Sequence, residues 1–294
     1  MPLKPTPNAT DVLEVSRPRS ATSDLAKRVL TSIVLLLLGV PAILWGGIPY
    51  FLLIAFFLGA ASWEYAQLFR KMGYRPSAWM ISIATLSLVT LRAFFPEWAE
   101  EMLAFLSLLF LTFHLFRYEL GDPHSALDFA ISVGGVVYFG WVGSFIYLLR
   151  ALPYGGWWVM LVLPVVWLAD SGAYNIGARY GRHALSPHLS PGKTWEGFIA
   201  GWITAVIAGA FLAWAYARFG PLPLSPWQGA LLGCLLGLLT PLGDLGESLF
   251  KRQAGVKDSG NLFPGHGGAF DRIDSWLWAG ILGYYFIKIF LHRL

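Results

Sequence analysis

Apolar residues in this chain are gathered into long blocks. About nine runs, near 27–46, 48–68, 77–94, 101–116, 131–150, 157–178, 198–217, 227–249 and 274–292, are bounded by charge, proline or glycine. Each approaches the roughly 20 apolar residues that a helix needs to cross the hydrocarbon core of a bilayer. In lipid every backbone N–H and C=O must be satisfied within the protein, and runs of this length meet that demand as helices. Composition agrees, with 56% hydrophobic and only 13% charged residues, about half the charge of an ordinary soluble domain. A water-soluble globule and a disordered chain are both excluded. The expected fold is an all-α, polytopic membrane helix bundle with about nine transmembrane helices.

Residues 1–26, with Pro2, Pro5, Pro7 and Pro18 among Ser and Thr, read as a flexible cytoplasmic tail. The first apolar run is longer than the core of a signal peptide and no A-x-A cleavage pattern follows it, so it reads as a retained span. Residues 27–130 then form N-terminal transmembrane helices, and 131–294 a catalytic transmembrane region with cytoplasmic loops 179–197 and 250–273. With the N-terminus in the cytoplasm, 16 of the 21 Lys and Arg fall on the inner side, as the positive-inside rule requires. The lone Cys234 cannot form an internal disulfide, and the aromatic content reads as interfacial anchoring rather than a nucleic-acid surface.

The two long inner loops hold the chemistry. Each follows a run with acid at its cytoplasmic end: Asp170 before the first, Asp244 and Glu247 before the second. A carboxylate at membrane depth is costly and normally faces a partner, a metal or water. From Gly243 to Ser275 the chain gathers Asp244, Glu247, Asp258, Asp271 and Asp274 with Lys251, Arg252, Lys257, Arg272, His266 and several glycines, including Gly267 and Gly268. Carboxylate oxygens suit Mg²⁺, which keeps positions open for phosphate oxygens. Glycine lets backbone N–H groups approach anions, and Lys and Arg neutralise them. The combination points to metal-dependent phosphoryl or nucleotidyl transfer at the cytoplasmic face.

The run Ser248, Lys251, Arg252, Lys257, Asp258, His266, Gly267, Gly268, Asp271, Arg272, Asp274 resembles the signature of the phosphatidate cytidylyltransferases, also called CDP-diacylglycerol synthases. So do Asp170–Ser171–Gly172–Ala173–Tyr174 and the stretch from Ser190 through Gly192, Lys193, Thr194, Trp195 and Glu196 to Gly197, where Gly192 replaces the family's first Lys. The resemblance spans roughly residues 165–280. It implies transfer of CMP from CTP to phosphatidic acid, with Asp244 and Asp271 as first-choice metal ligands and catalytic residues, and Asp274 and Asp170 as second choices. It further implies phosphate binding by Lys193, Lys251, Arg252, Lys257, His266, Gly267, Gly268 and Arg272. Of these, Lys193, Lys251 and Arg272 are also catalytic candidates. The cofactor is Mg²⁺, with a second metal or a monovalent cation left open, and the location is a bacterial inner membrane. Alternatives are another CTP-dependent lipid enzyme, such as a polyprenol kinase, or an ion transporter with intramembrane acids.

Other residues have plainer readings. Asp170 is equally readable as a helix-end cap. Glu64, beside Trp63 and Tyr65, reads as an interfacial acid that snorkels or pairs with Arg70 or Lys71, and stands outside the site. Glu247 shares a helical face with Asp244 and reads as a ligand, a partner of Lys251 or a helix-end charge. Gly192–Lys193–Thr194 is not a P-loop, because Pro187 occupies the position of its first glycine. His114, His124, His183, His188 and His292 have no catalytic reading. Gly229, Gly233 and Gly237, like Gly197 and Gly201, form small-residue stripes for helix packing, and a homodimer is a second use open to them.

Overall fold

The structure, a computed structural model, describes the backbone of residues 21–265 and 267–290 and the side chains of 29–265 and 267–289. The expected role of His266 and residues 1–20 of the tail lie outside the described residues. From residue 21 the chain is already helical, so the first helix reaches back into the segment expected to be a flexible tail.

Eleven α-helices follow in order among the described residues: α1 (Ala21–Trp45), α2 (Gly47–Lys71), α3 (Ala78–Phe94), α4 (Ala99–Glu119), α5 (Ser125–Gly135), α6 (Phe145–Ala151), α7 (Gly155–Tyr180), α8 (Trp195–Phe219), α9 (Pro226–Leu239), α10 (Pro241–Gln253) and α11 (Phe270–Phe290). Helices α5 and α6 are joined by the π-helical stretch Val136–Val142 into one rod, and α9 runs into α10 through Thr240. The nine apolar runs therefore correspond to nine helical rods. Six segments are long and apolar enough to cross a membrane, namely Gly47–Lys71, Pro96–Glu119, Ser125–Ala151, Gly155–Tyr180, Trp195–Phe219 and Pro226–Gln253, and the apolar parts of α1 and α3 are shorter. Large apolar side chains stand open along the rods, for example Leu37 at 68% and Phe116 at 67% exposure. In water such a surface would be unstable, and it marks the chain as an integral membrane protein whose solvent is lipid.

The eighth run, expected as one span over 227–249, is broken at Pro241. Proline lacks an N–H and its ring clashes with the preceding turn, so it suits the first position of a new helix. One departure from an all-α chain occurs in loop 179–197, where β1 (Ala184–Ser186) and β2 (Ser190–Thr194) pair antiparallel as a small hairpin.

The glycine stripes are consumed inside the molecule. A Cβ on Gly197 or Gly201 would lie within 3 Å of the Ala173 or Ala169 carbonyl oxygen of α7, and Cβ atoms on Gly229 and Gly233 would strike backbone oxygens of Gly209 and Ala205 on α8. These stripes seat α7, α8 and α9 against one another.

Two ends of the bundle are distinguishable. At one, Arg150 donates to Ile43 O at 2.6 Å, and Arg92 binds Ser144 Oγ at 2.7 Å and lies over the Trp141 ring. At the other, loop 250–273 meets α2 through Ser259 and Glu64, and Arg252 Nε of α10 donates to Leu189 O of loop 179–197 at 3.0 Å.

Candidate active site

Past Pro241, α10 packs against α11 and carries its acids there. Asp244 and Glu247 lie one turn apart on one face of α10. Close approach is possible because residue 243 is glycine: a Cβ there would stand 2.5 Å from the carbonyl oxygen of Asp274. Carboxylate oxygens of Asp244, Glu247 and Asp274 consequently gather within 4.8 Å of one another. Glu247 is 1% exposed, and its Oε1 has no hydrogen-bond partner. A buried, unmatched carboxylate oxygen beside two further carboxylates is costly unless a cation completes the group. Three hard oxygen donors with such an oxygen fit Mg²⁺.

Lys251 balances this cluster from one side. Its Nζ lies 2.7 Å from Glu247 Oε2 and 2.7 Å from Asp271 Oδ1. Asp271, beside Glu247 through the shared Lys251, also organises the loop: its Oδ2 accepts from Ser259 N at 2.9 Å, Ser259 Oγ at 2.8 Å and Gly268 N at 2.8 Å. The segment before α11 is a tight turn in which Phe263 N donates to Gly267 O at 2.9 Å, and Gly265 and Gly267 adopt φ of 78° and 82°. That left-handed backbone favours glycine.

A cavity of about 400 Å³ adjoins the cluster between α7, α8, the hairpin and α10, and it is lined by Asp170, Gly192, Lys193, Thr194 and Asp244 among others. Lys193 leaves the end of β2 and pairs with Asp244 Oδ2 at 2.5 Å. It is held there by α8, whose first turn is capped by Thr194 Oγ1 accepting from Gly197 N at 3.1 Å and by Glu196, which accepts from the backbone N–H groups of Arg182 and His183 and pairs with His183 Nδ1 at 2.6 Å. A helix start favours an anionic side chain in this position. The walls of the cavity are mostly small and apolar, and its charged groups converge near Asp244. An apolar wall with a few convergent polar groups is the form that small-molecule sites take.

The model of the cytidylyltransferase family matches residues 26–290. This chain belongs to that family. It is 32% identical over 292 residues to a protein of Synechocystis sp. named phosphatidate cytidylyltransferase, covering 90% of this chain and 97% of the relative. A Staphylococcus haemolyticus protein of the same name is 34% identical, with 85% and 94% covered. A Haemophilus influenzae relative, also so named, is 47% identical over 128 residues, which cover 42% of this chain and 43% of the relative. Two of these similarities thus run along most of both chains.

Within this family member the expected residues fall into three places. Asp244 and Asp274 join the carboxylate group, while Asp170 lines the adjoining cavity. Lys193, Lys251 and Asp271 are brought to the same centre, Lys251 and Asp271 as an ion pair beside the three-carboxylate group. Arg272 keeps its Nε buried without an acceptor. Arg252 is exposed and its Nε braces the hairpin, and Lys257 lies on the surface. Two residues carry more than their sequence reading. Glu247, left open among three roles, both joins the group and holds Lys251. Glu64 pairs with neither Arg70 nor Lys71: Arg70 Nε donates to Pro76 O at 3.1 Å, while the Glu64 carboxylate is 8% exposed and accepts from Ser259 Oγ, Ala269 N and Phe270 N at 2.9–3.0 Å. Arg70 is six positions on and so faces elsewhere around the helix, and Lys71 is two turns away. The signal that pointed to Glu64 was its depth in an apolar run.

Proposed function

We propose that this protein transfers CMP from CTP to phosphatidic acid, giving CDP-diacylglycerol and pyrophosphate, at the cytoplasmic face of a bacterial inner membrane. The observation that carries the reading is the buried Asp244–Glu247–Asp274 group with its unpaired Glu247 oxygen, opening through Asp244 onto a cavity that also holds Lys193. Membership of the family, relatives named phosphatidate cytidylyltransferase and the 16 basic residues counted to the inner side support it.

In the transfer, an oxygen of the lipid phosphate attacks the α-phosphorus of CTP in line. A new P–O–P bond forms, the bond from the α-phosphorus to the bridging oxygen breaks, and pyrophosphate departs. Bringing two anions together is the main barrier, which calls for preorganised positive charge. Asp244, Glu247 and Asp274 would hold Mg²⁺, which supplies charge neutralisation and polarises phosphoryl oxygens when bound. Lys193, released from Asp244, turns its ammonium to a phosphate. Lys251 keeps Glu247 oriented, and the unpaired Arg272 Nε offers a further donor to an anion. A phosphate monoester is already largely ionised near neutrality, so the nucleophile needs no base. The apolar walls around Ala173 and Phe198 suit the glycerol and upper acyl carbons of a lipid whose phosphate lies at headgroup depth.

Purified protein in detergent, supplied with Mg²⁺, labelled CTP and phosphatidic acid, should yield labelled CDP-lipid and one pyrophosphate per turnover. A lipid kinase would instead yield CDP and a phosphorylated lipid. Absence of CDP-lipid from well-folded protein overturns the proposal.

A further inference from the structure

Glu64 lies in none of the motif segments, yet it is fixed to the framework of the site. Oε1 accepts from Ala269 N at 3.0 Å, and Oε2 accepts from Phe270 N at 2.9 Å and from Ser259 Oγ at 2.9 Å. A helix start leaves its first amides without partners inside the helix. Here two amides at the start of α11 are met by a carboxylate about 200 positions earlier in the chain, reaching across from α2. The fit is close, since a Cβ on either Gly260 or Gly268 would strike this carboxylate. Ser259 has one hydroxyl proton, and its Oγ stands 2.9 Å from Glu64 and 2.8 Å from Asp271. The two carboxylates therefore share a single donor. Asp271 in turn holds Lys251, and Lys251 holds Glu247. Phe270, whose amide Glu64 fixes, is one helical turn before Asp274. Both routes, through Ser259 and along α11, end at the group of three carboxylates.

We propose that Glu64 is a positioning residue for the transfer: by anchoring the start of α11 and Ser259 to α2, it sets Glu247 and Asp274 at the spacing that grips a divalent cation. This rests on the cytidylyltransferase reading above. A residue that merely held the fold would lower yield or melting temperature without altering the cation affinity of the protein that remains.

The test uses the full chain in detergent with Glu64→Gln and Glu64→Asp. Mn²⁺ binding without substrates is followed by electron paramagnetic resonance, hydrogen exchange is followed over residues 267–275, and kcat and KM are measured with CTP and phosphatidic acid. The Gln amide turns a donor toward a backbone N–H, so Mn²⁺ affinity should fall about tenfold. Exchange at the start of α11 should rise, and kcat should fall about 10- to 100-fold at similar KM, the scale of a small misplacement of reacting groups. Glu64→Asp keeps the acceptor on a shorter stem and should recover part of the loss. Wild-type Mn²⁺ affinity in both variants overturns the proposal. A wild-type protein that binds Mn²⁺ but makes no CDP-lipid overturns the functional reading instead, and the Mn²⁺ titrations still decide the role of Glu64. Should neither variant fold, Gly260→Ala carries the test, because its Cβ would displace the Glu64 carboxylate. Weakened Mn²⁺ binding then supports the proposal, and unchanged binding overturns it.

Discussion

Asp271 and Asp274 are three residues apart and look interchangeable in sequence, but their surroundings predict opposite effects on stability when each is changed to Asn. Asp274 stands in a group whose carboxylate oxygens lie within 4.8 Å of one another. Two unit charges at that separation repel by about 3 kcal/mol at an effective dielectric of 20, before Lys193 and Lys251 screen them. Asp274→Asn removes two such repulsions from the cation-free protein. It should leave melting in EDTA unchanged or raised, while abolishing Mg²⁺-induced stabilisation and CDP-lipid formation. Asp271 is a hub: it takes Ser259 N, Ser259 Oγ, Gly268 N and the Lys251 ammonium. Its neutralisation leaves Lys251 with one partner in a nearly buried setting, and breaking such a pair costs about 3–5 kcal/mol. Asp271→Asn should therefore lower the melting temperature in EDTA and still show a residual upward shift with Mg²⁺. The assay is thermal unfolding in detergent, with EDTA and with Mg²⁺, alongside turnover of CTP. If both variants lose the same stability, or Asp274→Asn retains a wild-type Mg²⁺ shift, the division into a cation group and a loop hub is wrong.

Other consequences are more easily stated. Lys193→Gln removes a half-exposed ion pair worth at most about 1 kcal/mol to stability, so melting should hold while KM for CTP rises roughly tenfold or more, measured by initial rates. Gly233→Leu forces a side chain into the backbone of Ala205; overpacking of this kind costs several kcal/mol, and the yield of monodisperse protein in size-exclusion chromatography should collapse. Arg252→Ala frees the hairpin from α10 and should raise exchange over residues 184–194 with little effect on global melting. Outside the membrane, the Arg117 hydrogen bond at 2.6 Å holds the Asp122 carboxyl below its ordinary value of 3.8. That contribution is present above the unfolded value and is lost as pH falls through the lower folded one, so Asp122→Asn should flatten the acid limb of a stability-against-pH curve.

Much of the framework was legible because lipid imposes a simple rule on length and polarity. The rods lie where the apolar runs lie, and even the weakest, 101–116, is a full helix over Ala99–Glu119. The break at Pro241 was visible as a proline but not weighted, since prolines are tolerated within membrane helices, as Pro164 is inside α7. The hairpin in loop 179–197 gave little warning because Ser190–Pro191–Gly192 carries no alternating apolar pattern. The acids were found by type, and Lys251 was named among the partners open to Glu247, but the partners of Glu64 were not. Sequence spacing shows which residues share a helical face, and so linked Glu247 to Asp244. It cannot show that α2 returns to the start of α11, so Glu64 reads from sequence as an acid that snorkels or pairs with Arg70 or Lys71 rather than one that meets amides some 200 residues away.

The distribution of backbone donors then separates acids that build the site from acids that use it. Glu64, Asp271 and Glu196 each sit at a helix start or tight turn and accept from backbone N–H groups, where the aligned amides supply partial positive charge. Such acids are met within the chain, Glu64 by amides and a hydroxyl and Asp271 by amides and Lys251, which is how a chain with so few charges can keep carboxylates near lipid. Asp244, Glu247 and Asp274 differ. Their partners include Lys193, Lys251 and the Ser275 amide at 2.6 Å, and Glu247 Oε1 has none. Asp128 also leaves Oδ2 unpaired, but it is not part of any group of three acids of that kind. Three carboxylates held together by the bundle repel one another, with Lys193 and Lys251 as the cations of the chain that face them; on the proposed reading, a divalent cation arriving with a phosphate through the adjoining cavity would complete that balance.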